Sequence, residues 1–145
     1  TASRVQDAED NETILPGTLY VCPGARHLRV TPVGRIRLES GGRVNGYLPC
    51  IDITMESVAA YAGAMGIGVV LTGMGNDAAQ GVKAIKTAGG LVLAQDESTS
   101  VIFGMPAEAI KTGAVDHVLP LEEIYPAIEK RVIRICRPTP AGVRG

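Results

Sequence analysis

Apolar and polar positions alternate twice in the first third of the chain, at His27-Leu-Arg-Val30 and Arg35-Ile-Arg-Leu38, on either side of Pro32-Val33-Gly34. A period of two across a Pro/Gly break predicts a β-hairpin. The shorter run Leu19-Tyr-Val-Cys22 predicts a strand ended by Pro23-Gly24, and Ser40 to Gly46 is a glycine-rich loop. From Asp52 to Met65 the period changes. Ile53, Val58, Ala59, Ala62 and Met65 fall at helical spacing, with Asp52 or Thr54 as the expected N-cap. Beyond it, buried-strand runs alternate with helices. The strands are Gly68–Thr72, Leu91–Ala94 and Val115–Leu119. The helices run from about Ala78 to Thr87, from Pro106 to Lys111, and from Leu121 to about Ile135, the last broken or kinked near Pro126. Strand-helix alternation predicts an α/β fold, a doubly wound Rossmann-like parallel sheet with a β-hairpin near its N-terminus. Three strands make a small sheet, so the domain is expected to be incomplete.

The ends read differently. Residues 1–12 are polar, carrying Asp7, Glu9, Asp10 and Glu12, and are expected to be a leader or the stump of a linker. Residues 13–136 hold the folded pattern, and residues 137–145 are expected to form a basic, flexible tail. Lys130, Arg131, Arg134, Arg137 and Arg144 are read as a solvated face and a fraying end. Apolar residues are 46%, charged residues 20%, and net charge is −1, a globular composition that lends no support to nucleic-acid binding. No stretch reaches the roughly 18 apolar residues of a membrane span. Cys22, Cys50 and Cys136 are odd in number and widely spaced. That favours reduced thiols and a cytoplasmic setting over a disulfide framework or a zinc site.

The chemistry concentrates in Gly66-Ile-Gly-Val-Val-Leu-Thr-Gly-Met-Gly-Asn-Asp77, where an apolar strand breaks into a glycine loop ending in a carboxylate. Open α/β sheets build their sites at such carboxyl ends. Asp77 has two readings: a cap for the helix beginning at Ala78, or the acid that orients a histidine in a nucleophile-histidine-acid triad. Gly73 and Gly75 would turn the backbone sharply and expose N–H groups, as an oxyanion site requires. A rival reading takes Gly73-x-Gly75-x-x-Ala78 as a dinucleotide fingerprint, with Asp96 about 20 residues on as the ribose acid. It sets Asp77 beside a phosphate that a carboxylate would repel. His27 and His117 are the only histidines, and neither neighbours a nucleophile motif. Ser57 lies mid-helix, Ser98 and Ser100 in a loop, and no G-x-S-x-G elbow exists.

Several segments together resemble the C-terminal catalytic domain of the bacterial chemotaxis protein-glutamate methylesterases. They are Cys22-Pro-Gly-Ala-Arg-His27, Asn45-Gly46 with Pro49-Cys-Ile-Asp52 and Ser57, Leu71-Thr-Gly-Met-Gly-Asn-Asp77, Ala94-Gln-Asp-Glu97 and Phe103-Gly-Met-Pro106. The resemblance covers roughly residues 13–128 in family order. It implies a doubly wound sheet bearing a Ser-His-Asp triad, hydrolysis of γ-glutamyl methyl esters on chemoreceptors, and deamidation of receptor glutamines. No metal or nucleotide cofactor is implied. The implied partners are methylated cytoplasmic helices of chemoreceptors and a receiver domain of two-component signalling. By position Asp77 matches the triad acid and Met74 the methionine whose backbone helps hold the oxyanion; Gly73, Gly75 and Asn76 are the expected substrate-binding neighbours. The family's nucleophile turn and catalytic histidine have no counterpart here and would fall upstream of Thr1. His27 matches a later Arg-His pair, Cys50 stands where serine is usual, and Ala78 where glycine is usual. A non-catalytic scaffold is the remaining alternative.

Overall fold

The computed structural model describes residues 3–137. Strands β1 (Arg4–Asp7) and β2 (Thr18–Val21) pair in parallel. Strands β3 (His27–Val30) and β4 (Ile36–Glu39) form the antiparallel hairpin expected from the alternation. Helix α1 (Ile51–Ala62) leads through a short 3-10 turn into β5 (Ile67–Val70). Helix α2 (Ala79–Thr87), strand β6 (Leu91–Gln95), helix α3 (Met105–Lys111), strand β7 (His117–Leu119) and helix α4 (Leu121–Cys136) follow. Strands β5, β6 and β7 form a parallel sheet in that order, so the α/β prediction holds.

Two apolar clusters hold the fold. The larger joins Ala59 of α1, Val70 of β5, Ala78 just before α2, Val82 and Ile85 of α2, Val92 of β6, and Ala109 of α3. The smaller lies under the hairpin and joins Ala8, Leu28 and Ile36. Two hydroxyls fasten α1 to the hairpin. Thr54 Oγ1 donates to the Leu28 carbonyl (2.8 Å), and Ser57 Oγ accepts from the Val30 N–H (2.9 Å) while donating to the Thr54 carbonyl (2.7 Å). Ser57 is thus a fastening between helix and hairpin.

Local structure departs from the sequence reading at three places. Residues 4–14 are no loose leader. Besides β1, the segment after it runs along β4, with Asn11 N–H on the Ile36 carbonyl (2.7 Å), Ile36 N–H on Glu12 (2.8 Å) and Ile14 N–H on Gly34 (2.9 Å). Its side chains are mostly exposed, so backbone pairing without apolar periodicity orders it. Pro126 does not break α4, which is continuous from Leu121 to Cys136. It stands in the second turn, where the missing N–H costs one intrahelical bond. Neither Asp52 nor Thr54 caps α1; the cap position is Cys50, whose side chain makes no capping bond to the helix amides. The tail expected from residue 137 onward lies, after Arg137, outside the described residues.

Candidate functional site

The loop that ends β5 is held from two sides. On one, the segment before α3 clasps it: Thr72 Oγ1 accepts from the Ile102 N–H (2.9 Å), Gly73 N–H donates to the Ile102 carbonyl (3.0 Å), and the Gly73 carbonyl accepts from Met105 N–H (2.8 Å). Gln95, buried at the end of β6, adds its Oε1 to the Thr72 N–H (2.8 Å) and its Nε2 to the Thr99 carbonyl (2.8 Å). On the other side, the Tyr47 hydroxyl accepts from the Asn76 N–H (3.0 Å) and donates to Asn76 Oδ1 (2.9 Å). Gly75 sits at φ +101°, where a Cβ would stand 2.3 Å from that hydroxyl, so only glycine fits. Between the two clasps, the N–H groups of Met74 and Gly75 make no hydrogen bond among the described residues. The Met74 side chain stands out into solvent, 77% exposed.

Asp77 follows at once and is 4% exposed. Its Oδ2 accepts from the Ile51 N–H (2.8 Å). Its Oδ1 accepts from the Asp52 N–H (3.1 Å), the Ala78 N–H (3.0 Å) and the Cys50 thiol (3.5 Å). The carboxylate therefore caps α1, a helix 25 residues earlier in sequence, rather than the helix that follows it. A carboxylate oxygen can accept more than one hydrogen bond, as Oδ1 does here. Oδ2 carries one donor, which leaves one direction unfilled among the described residues.

Asp52, 5% exposed, returns the arrangement: its Oδ1 accepts from the Gly81 N–H (2.7 Å) in the first turn of α2. The polar atoms of Cys50, Asp52 and Asp77 lie within 4.8 Å of one another. These carboxylates face the amide ends of two helices, where the helix dipoles favour negative charge and oppose a cation. The donor set therefore suits anionic caps and does not suit a metal. Burial, foremost, and then the charge of Asp77 push the Cys50 thiol up, against the N–H groups of Ile53 and Asp52, so it stays protonated and donates. Asp52 and Asn76, with Asn45, Ala79 and Gln80, line a polar cleft of about 430 Å³ beside the loop.

The dinucleotide reading finds no room. A phosphate at the start of α2 would compete with Asp52 for the Gly81 amide and would lie against two carboxylates. Asp96 is spent on its own turn: Oδ1 accepts from Thr99 Oγ1 (2.6 Å) and the Thr99 N–H (3.0 Å). The Thr99 hydroxyl, foremost, holds its carboxyl below the usual range, against a smaller opposing effect of burial.

The histidines stand apart from this chemistry. His27 is buried with both ring nitrogens engaged, Nδ1 accepting from the Cys50 N–H (3.1 Å) and Nε2 facing the Gly42 carbonyl (3.0 Å). That pattern fixes a neutral tautomer protonated on Nε2. His117 is exposed at the start of β7, across the sheet in register with Leu93. Of the residues singled out from sequence, the structure brings Gly73, Met74, Gly75, Asn76 and Asp77 into one loop with Cys50 and Asp52 packed behind it. It adds Tyr47, which no local pattern marked: its role depends on a contact 29 residues away.

Comparison with known proteins agrees with this architecture. The family profile described as CheB methylesterase matches residues 1–128. A protein-glutamate methylesterase/protein-glutamine glutaminase of Pectobacterium atrosepticum is 48% identical over 123 residues, which are 83% of this chain and 35% of that protein. Protein-glutamate methylesterase FrzG of Myxococcus xanthus is 45% identical over 128 residues, 88% of this chain and 38% of its own length. The chain thus spans well under half the length of these relatives. The crystal structure of the Thermotoga maritima CheB methylesterase catalytic domain superposes with a TM-score of 0.79 at 37% identity, covering 88% of this chain and 67% of that one.

Proposed function

The chain belongs to the CheB methylesterase family, and on that premise we propose that it forms the C-terminal part of a catalytic domain that hydrolyses γ-glutamyl methyl esters on chemoreceptors and deamidates receptor glutamines. The serine and histidine of the reaction come, in this proposal, from polypeptide outside these 145 residues. Asp77 supplies the acid. Serine oxygen attacks the ester carbonyl as histidine takes its proton, and the carbonyl electrons move onto oxygen. Collapse expels methanol with the proton returned, and water then releases the glutamate carboxylate by the same steps. Met74 and Gly75 N–H groups stabilise the oxyanion, with Gly73 and Asn76 shaping the loop that presents them to substrate. No metal enters this scheme. The substrates are the methylated cytoplasmic helices of chemoreceptors, and a receiver domain is the expected regulatory partner.

One observation carries the proposal. Asp77 is fixed by three amides and a thiol yet, among the described residues, keeps an acceptor direction on Oδ2, beside a loop with two unengaged amides. Asp77→Asn in the full-length natural protein tests it. Turnover is expected to fall by about 10⁴, because an amide cannot hold the imidazole tautomer that a carboxylate holds. A near-normal rate removes Asp77 from the triad. The 145-residue chain alone is expected to show no esterase activity.

A further inference from the structure

We infer that Tyr47 is a positioning residue for ester hydrolysis, holding the Met74 and Gly75 amides in the direction that meets the developing oxyanion. The inference rests on the reading of those amides as oxyanion donors. Its own basis is the contact between the loop before α1 and the loop after β5. The Tyr47 hydroxyl engages Asn76 twice, at the N–H and at Oδ1. Its oxygen also fills the space over Gly75, whose positive φ leaves the backbone freedom that a neighbour must restrain. The opposite end of the loop is fixed through Gly73 and Thr72. Tyr47 is thus the second of two clamps, and the Met74 and Gly75 amides, unengaged among the described residues, lie between them.

Tyr47 is itself held. It closes a tight turn in which Val44 N–H and the Tyr47 carbonyl, and Tyr47 N–H and the Val44 carbonyl, pair at 2.9 Å. Arg43 Nη1 donates to the Gly46 carbonyl (3.0 Å) in the same turn. A phenol on a closed turn gives a fixed point at little conformational cost. Oxyanion donors act only when they are aimed, before reaction, at the place the charge will occupy. Releasing Asn76 would let the two amide directions spread. That weakens transition-state binding and leaves ground-state binding of the receptor helix unchanged.

The experiment is a steady-state comparison on methylated receptor in the full-length natural protein. Tyr47→Phe removes one oxygen from a half-buried ring, so the fold should persist. The expected result is kcat lower by about tenfold to a hundredfold, KM within about twofold, and an unmoved pH profile, because the acid-base groups are untouched. Asn76→Ala keeps the amide donor and loses Oδ1, so it should lower kcat less. The double variant should fall no further than Tyr47→Phe alone, since both act through one contact. A Tyr47→Phe enzyme with kcat within about twofold of the parent overturns the inference, whatever its melting temperature. So do losses that add in the double variant. Asp77→Asn run alongside separates the two claims: if it too is active, the triad reading fails; if it alone is inactive, only the role of Tyr47 fails.

Discussion

Asp52 and Asp77 each cap the helix to which the other belongs or leads. Asp77, just before α2, accepts the Ile51 and Asp52 amides that open α1, and Asp52, in the first turn of α1, accepts the Gly81 amide of α2. Two buried carboxylates this close repel, and the positive ends of two helices offset that repulsion. Each bond also fixes where the other helix can start. The glycine loop between β5 and α2 inherits its exit direction from this pair.

The reciprocal caps should be energetically coupled. Asp52→Ala leaves the Gly81 N–H buried and unpaired and is expected to cost about 1–3 kcal/mol. Asp77→Ala strands three amides and a thiol and should cost more. Because each side chain orders the helix that presents the other's donors, the double substitution should cost less than the sum by at least about 0.5 kcal/mol. Urea unfolding of the four proteins measures it; strictly additive losses would show two independent caps.

Ala78 places a methyl at φ +81° in the larger apolar cluster. The left-handed conformation costs an alanine about 1 kcal/mol, and burying the methyl returns a similar amount. Ala78→Gly is therefore expected to change stability by less than about 1 kcal/mol. Ala78→Val adds β-branching at positive φ and volume to a filled site, and should lose at least about 2 kcal/mol. Thermal melting of both variants checks the contrast.

Acid should weaken the fold partly through Asp116. Burial raises its carboxyl, but donation by Lys86, the Val92 N–H (2.8 Å) and the charges of Lys86 and His117 outweigh it and hold the carboxyl below the usual range. A depressed native pKa means that the unfolded chain binds more protons in the window below about pH 4. The contribution of Asp116 is thus full at neutral pH and lost as pH falls through its native value. Asp116→Asn should lower the urea midpoint at neutral pH and flatten its decline between about pH 5 and pH 3. An unchanged slope would assign acid sensitivity to other groups.

His27 should matter to folding and to no proton transfer. His27→Ala removes the acceptor for the buried Cys50 N–H and the donor to Gly42, with an expected loss of about 1–3 kcal/mol. In the full-length natural protein, pH dependence of turnover should stay where it was. A displaced pH profile would give His27 a part in the chemistry.

Much of this was legible in the sequence where one element carries its own signal. The hairpin showed in the alternation at His27–Val30, and the parallel sheet in the sequence of buried runs and helices. The glycine loop announced Asp77. What stayed hidden depends on pairs far apart in sequence. Asp52 looked like the cap of its own helix because capping is local in the common case, and here it acts on another helix, 29 residues on. Tyr47 sat in a loop with no pattern. Strand β1 is exposed on nearly every residue, so it had no apolar period to read.

The crowd of donors around Asp77 has a thermodynamic consequence. A carboxylate in water must shed solvent and turn before it can receive a new proton donor. This one is desolvated and aimed by folding, through the amides of Ile51, Asp52 and Ala78. Whatever group reaches the vacant side of Oδ2 meets an acceptor whose reorganisation was completed before the encounter.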